Sequence, residues 1–171
     1  MEPRIISSFE EFAEAMSNLH DCPFDLDKAA FDKQAGTWIG KFYRPLWEDQ
    51  GDSKGIKFLF WRWELPVVHA IVTVARVRDV QVMDDQDIER YTLNEIERTP
   101  DGIRIRSNEA MFIDIHLAEG IEATYDEQPL PGARAIYRGF FLVESGPKIE
   151  GAGLDESGGS GQLRFPPTPR K

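Results

Sequence analysis

The stretch from Ile56 to Val82, IKFLFWRWELPVVHAIVTVARVRDVQV, most constrains the fold, because strand-forming apolar residues run through it nearly unbroken. Successive side chains of an extended chain alternate between two faces. Leu59, Trp61, Trp63 and Leu65 then share one face, and Ile56, Phe58 and Phe60 the other. Pro66 cannot donate to a ladder, so it marks a strand end or a bend. Beyond it, Val68, Ala70, Val72 and Val74 alternate with Val67, His69, Ile71, Thr73, Ala75 and Val77, and neither face turns polar before Arg76. The density of β-branched residues argues against a helix, and apolarity on both faces predicts a central strand covered by another layer.

The remaining elements are placed around that strand. Ser8 followed by Glu11 is a capping box, and Phe9, Phe12, Ala13, Met16 and Leu19 recur at helical spacing, which predicts a helix from Ser8 to Asn18 lying on the sheet. Phe24 to Phe31 reads as a strand, Lys33 to Gly36 as a turn and Thr37 to Arg44 as the second strand of a hairpin. Pro45 to Gly55 reads as a surface loop. Tyr91, Leu93 and then Ile96 suit a strand with one bulged residue. Pro100, Asp101 and Gly102 signal a hairpin. After it, Ile103, Ile105, Met111, Ile113, Ile115 and Leu117 alternate with polar residues, broken by a turn at Ser107 to Ala110. Glu119 and Gly120 turn the chain into Ile121 to Tyr125, Gln128 to Gly132 reads as a proline-containing loop, and Ala135 to Glu144 as the last strand.

From Ser145 the composition shifts to Gly, Ser and Pro. The expected organisation is one globular domain over residues 1–145 and a flexible tail over 146–171. The expected fold is mainly β: an N-terminal helix on an antiparallel meander that forms a β-sandwich or half-open barrel.

Composition narrows the function classes. Thirty acidic against twenty basic residues give a formal charge of −10, which disfavours a nucleic-acid partner. No apolar run is long enough for a membrane helix, so no membrane partner is expected. The start, MEPRIISSFEEF, carries no basic region followed by an apolar run, and the single cysteine, Cys22, rules out an intrachain disulfide; both suit a cytoplasmic protein.

No Walker loop, dinucleotide fingerprint, nucleophile elbow or HExxH motif occurs, and the expectation is a non-enzyme with no cofactor, no catalytic residue and no metal site. His20, Asp21 and Cys22 set three reactive types side by side, but adjacent residues rarely converge on one point. Their bland reading is a helix end followed by a small buried thiol. Asp84, Asp85, Asp87 and Glu89 lack the glycine and terminal glutamate of a calcium loop and read as a solvated turn. His69 reads as a satisfied core histidine, and His116 lies on a polar strand face. Trp38, Trp61 and Trp63, with Phe42 and Tyr43, form either an aromatic platform or a sheet core. Core is favoured for Trp61 and Trp63. The ligand-binding candidates are therefore Trp38, Trp47, His20 and Asp21.

Leu19, His20 and Asp21 leading from a short helix into a strand, and later Tyr91 to Ile96 (YTLNEI) ahead of a glycine hairpin, resemble the pattern of several small bacterial families of unknown function, some of them grouped with toxin-immunity proteins. The resemblance implies a helix-plus-antiparallel-sheet fold and a binding role. It transfers no catalytic residue, and Cys22 with Pro23 has no counterpart in it. The leading expectation is a binding or interaction module for a protein partner or a small molecule. The alternative is an enzyme or small-molecule-binding barrel whose pocket residues come from separated strands. The strand Val67 to Val77 is either closed over by a second sheet or shared between two copies in a homodimer.

Overall fold

The computed structural model describes residues 2–26, 29–49, 54–56, 60–85, 90–140 and 143–150. The expectations for Phe58, Leu59, Asp87, Ile88, Glu89, the side chains of Trp61 and Trp63, and residues 151–171 lie outside the described residues.

The chain is mainly β with one N-terminal helix. Its elements are β1 (Arg4–Ile6), α1 (Phe9–Ser17), β2 (Pro23–Asp25), β3 (Ala30–Asp32), β4 (Thr37–Pro45), β5 (Lys54–Ile56), β6 (Phe60–Val74), β7 (Val77–Met83), β8 (Arg90–Thr99), β9 (Gly102–Ser107), β10 (Phe112–Leu117), β11 (Ala123–Phe140) and β12 (Val143–Glu150). The strands join one antiparallel sheet in the order β1-β11-β6-β4-β2-β8-β9-β10-β7, with β12 on β11, β3 on β4 and β5 on β6. Among the described residues the two ends of that path do not pair, so the sheet is not closed into a barrel. The described chain divides into two compact units. One holds the residues up to Phe42 with Ala70 to Glu127, and the other holds Tyr43 to His69 with the residues from Gln128.

In the first unit α1 starts where the capping box places it: the Ser8 hydroxyl accepts the Glu11 N–H at 3.2 Å, and the Glu11 carboxylate accepts the Ser7 N–H at 2.8 Å. Its apolar stripe, Phe12, Ala15, Met16 and Leu19, is buried with Val72, Val74, Ile103, Ile105, Ile113 and Ile115 in one core. The meander β8-β9-β10-β7 supplies eight of the described residues buried in that core, from Val77 to Leu117. Its register sets Ile96 opposite Ile105, Ile105 opposite Ile113 and Ile115 opposite Ile103, so one face is apolar from strand to strand. The expected bulge in β8 is present, between Leu93 and Glu95. Gly102 closes the β8–β9 turn because nothing larger fits: a Cβ there would lie 2.0 Å from the Ile115 carbonyl oxygen. In the β3–β4 turn Asp32 Oδ1 accepts the N–H groups of Gln34 and Ala35 at 2.9 and 3.0 Å, and Gly36 takes a left-handed φ of 61° that a side chain would resist.

The second unit has its own core of Tyr43, Leu65, Val67, Ala133, Ala135 and Ile149. This overturns the reading of the long apolar strand as one covered on both faces throughout. In the first unit β4 and β6 bury even-numbered residues, Trp38, Gly40 and Phe42, then Ala70, Val72 and Val74. In the second they bury odd-numbered ones, Tyr43 and Pro45, then Leu65 and Val67. The switch falls at Phe42/Tyr43 and His69/Ala70, the same points at which the units divide. Each strand is apolar on both faces because each half buries a different one.

Three expectations about strand ends are corrected. Pro66 does not end its strand: β6 runs through it, and its carbonyl accepts the Leu46 N–H at 2.9 Å. The expected loop at Gln128 to Gly132 is part of β11, with Pro129 and Pro131 both exposed. Being two apart, they remove N–H groups from the same edge of the strand only. The chain does not loosen at Ser145 either, because β12 continues to Glu150, pairs Ile149 with Ala135 and buries Ile149.

Candidate functional site

A groove of about 610 Å³ opens in the first unit where the start of α1 meets one end of the meander. That volume lies within the range of small-molecule sites. Its wall is built from residues 7–10, Arg78 at the start of β7, residues 98–102 at the β8–β9 turn and residues 117–121 after β10. Local hydrogen bonds fix each part. The capping box holds the helix start. The Leu117 N–H donates to the Asp101 carbonyl at 2.8 Å, which ties the β8–β9 turn to the end of β10. The loop after β10 is latched to the corner before β7, since the Ala118 N–H donates to the Arg76 carbonyl and the Ala75 N–H to the Glu122 carbonyl, both at 2.8 Å. Arg76 reinforces that latch through Glu119 at 2.6 Å and Glu122 at 2.8 Å.

The groove's polar groups are of both signs. Arg78 and Arg98 are exposed and have no carboxylate partner among the described residues. The Arg98 guanidinium stands 5.9 Å from the centre of the Phe9 ring, which with Leu117 and Ile121 supplies the apolar part of the wall. Glu10 and Asp101 line the same groove, whereas Glu119 is committed to Arg76. The Ser7 N–H and hydroxyl hold the Glu11 carboxyl below its ordinary range. Gly120 faces open space: a Cβ added there would meet nothing within 4 Å.

The sequence candidates fall elsewhere. His20 and Asp21 sit just beyond α1, exposed, with His20 Nδ1 2.9 Å from Asp21 Oδ2. The structure adds three residues that the sequence did not single out. Asn108 Nδ2 donates to Asp21 Oδ1 at 3.3 Å, and Glu109 accepts from the Thr92 N–H at 3.0 Å and the Thr92 hydroxyl at 2.5 Å. Asp21 adopts φ 60°, its N–H donates to the Leu93 carbonyl at 2.8 Å, and the Cys22 carbonyl accepts the Leu93 N–H at 3.1 Å. This cluster ties the end of α1 to β8 and to the β9–β10 turn. Cys22 is buried beneath it.

Trp38 is buried in the first core, its ring lying across Gly40, where a Cβ would come within 2.4 Å of it. Its indole Nε1 is buried with no hydrogen-bond partner among the described residues. Trp47 is exposed in the second unit and packs on Tyr137 with ring centres 4.6 Å apart. His69 packs on Tyr43 at 5.1 Å. Among the described residues no group of three His, Cys, Asp or Glu side chains is placed to hold a metal, and no helix is long and apolar enough to cross a membrane.

One sequence signal pointed at the groove. In β8 the core-facing positions are Ile96, opposite Ile105, and then Arg98, opposite the buried Ile103. Arg98 is a charged residue at a position where the alternation calls for an apolar one. Compared with known protein families, curated proteins and solved structures, the chain matches none.

Proposed function

We propose that this protein is a non-enzymatic binding module whose ligand lies in the groove beside α1. The observation that carries the reading is the pairing of a ligand-sized groove with two arginines that hold no carboxylate among the described residues. The hydrogen bonds at the helix start, the β8–β9 turn and the latched loop hold the walls in place before anything binds, which lowers the ordering cost of association. A small molecule or a segment of another protein fits this reading, and an immunity-like role is its form when the occupant is a protein.

Gly120→Trp tests the reading, because Gly120 lines the groove and a bulky side chain added there starts without a clash at its Cβ. Amide chemical shifts recorded against a mixed panel of small metabolites and short peptides should show at least one compound perturbing Phe9, Thr99 and Gly120. The same compound should have no effect on Gly120→Trp protein of unchanged melting temperature. Responses that map elsewhere, or that persist in the plugged variant, contradict the reading.

The enzymatic alternative draws on one specific observation, the imidazole-to-carboxylate contact between His20 and Asp21. That arrangement orients a general base. Turnover of any substrate that disappears in His20→Gln would move the functional centre to that cluster.

A further inference from the structure

We infer that the groove takes a ligand with a single anionic group, carboxylate or phosphate monoester, on an apolar or aromatic body. The inference rests on the reading of the groove as the binding site and adds the chemistry of its occupant.

The chain has 30 acidic and 20 basic residues, so a carboxylate is the commoner partner for any arginine. Arg4, Arg44, Arg62, Arg76, Arg104 and Arg106 each hold a carboxylate within ion-pair distance. Arg78, Arg98 and Arg134 hold none among the described residues, and the first two line one groove. Guanidinium presents a planar fork of donors that matches carboxylate and phosphate oxygens, so an arginine left free in a concave site is suited to an anion.

The rest of the wall limits what kind of anion fits. Glu10 and Asp101 line the groove without ion-pair partners among the described residues, so a polyanion meets repulsion at their positions. Phe9, Leu117 and Ile121 offer apolar area that a bare inorganic anion leaves unused. Arg78 and Arg98 stand on β7 and β8, the outer strands of the four, about three strand spacings or roughly 14 Å apart along the meander. A ligand that reaches both sides therefore needs a body as well as a charge.

The test titrates the full chain with 3-phenylpropionate, phenyl phosphate, the neutral 3-phenylpropanamide and inorganic phosphate, with amide chemical shifts as the readout. Both aryl anions should perturb Phe9, Thr99 and Gly120. The neutral amide and inorganic phosphate should bind at least tenfold more weakly, and the stronger aryl anion identifies the source as carboxylate or phosphate. Arg78→Gln and Arg98→Gln, at exposed positions that leave the fold intact, should each weaken the aryl anions about tenfold. Equal binding of the neutral amide, unchanged affinity in both glutamine variants, or no response to either aryl anion at millimolar concentration overturns the inference. If Gly120→Trp still abolishes binding of the amide, the groove survives and only the ligand class is wrong. If shifts persist in Gly120→Trp, the groove reading falls with it.

Discussion

Four arginines of the first unit lie on or beside the same meander and have two fates. On its polar face Arg104 holds Asp114 through two hydrogen bonds, 2.6 and 2.7 Å, and Arg106 holds Glu97 at 2.5 Å. Arg104 also stacks on Phe112, 4.3 Å from the ring centre, and its bond to Asp114 pushes the guanidinium pKa further up. At the groove, Arg78 and Arg98 hold no carboxylate among the described residues. The difference is one of register. Arg104 and Asp114 are cross-strand partners, so strand pairing itself delivers the carboxylate to the guanidinium. Arg98 is paired with Ile103, and pairing delivers it nothing. Charges of the first kind belong to the sheet. Those of the second kind are available to a ligand.

The largest expected effect removes both sets at once. Gly102→Ala drives a Cβ into the Ile115 carbonyl at the turn that carries Arg98 on one strand and Arg104 on the next, and should cost about 3 kcal/mol, seen as a lower urea midpoint. A midpoint unchanged from wild type would show that the close approach is relieved without disturbing the meander.

Asp114→Asn strips the charge from the partly buried partner of Arg104 and should cost about 1 kcal/mol by the same measurement. Arg78→Gln and Arg98→Gln should change stability by less than about 0.5 kcal/mol, since no intramolecular ion pair is lost among the described residues. Stability losses of equal size in the two groups would erase the contrast.

The smallest effect concerns pH at the groove's rim. The folded pKa of Glu11 is lowered by its hydrogen bonds from Ser7, so its contribution is present above the ordinary glutamate pKa and is lost as pH falls through the lowered folded value. Glu11→Gln should therefore flatten the acid limb of the melting-temperature profile. An unchanged limb would mean that the capping box carries no charge-dependent stabilisation.

How much of this was legible in the sequence depended on whether a signal was local. The capping box, the β8 bulge and the alternation from Ile103 to Leu117 were readable, because each is decided by neighbouring residues and one buried face. The change of buried face in β4 and β6 was not, since composition alone does not tell a strand covered on both sides from one that changes sides midway. β12 was hidden by glycine, proline and serine in VESGPKIE, although the pairing with β11 recruits Ile149 into a core. The groove was hidden for another reason: four separated segments build it, and only Arg98, at an apolar position, marks it.

The arginine contrast is measured most directly by the side-chain Nε–H resonances during titration with phenyl phosphate. Arg78 and Arg98 should shift in parallel with a single dissociation constant while Arg104 and Arg106 stay fixed on Asp114 and Glu97. Shifts at Arg104 or Arg106, with Arg78 and Arg98 unmoved, would contradict it.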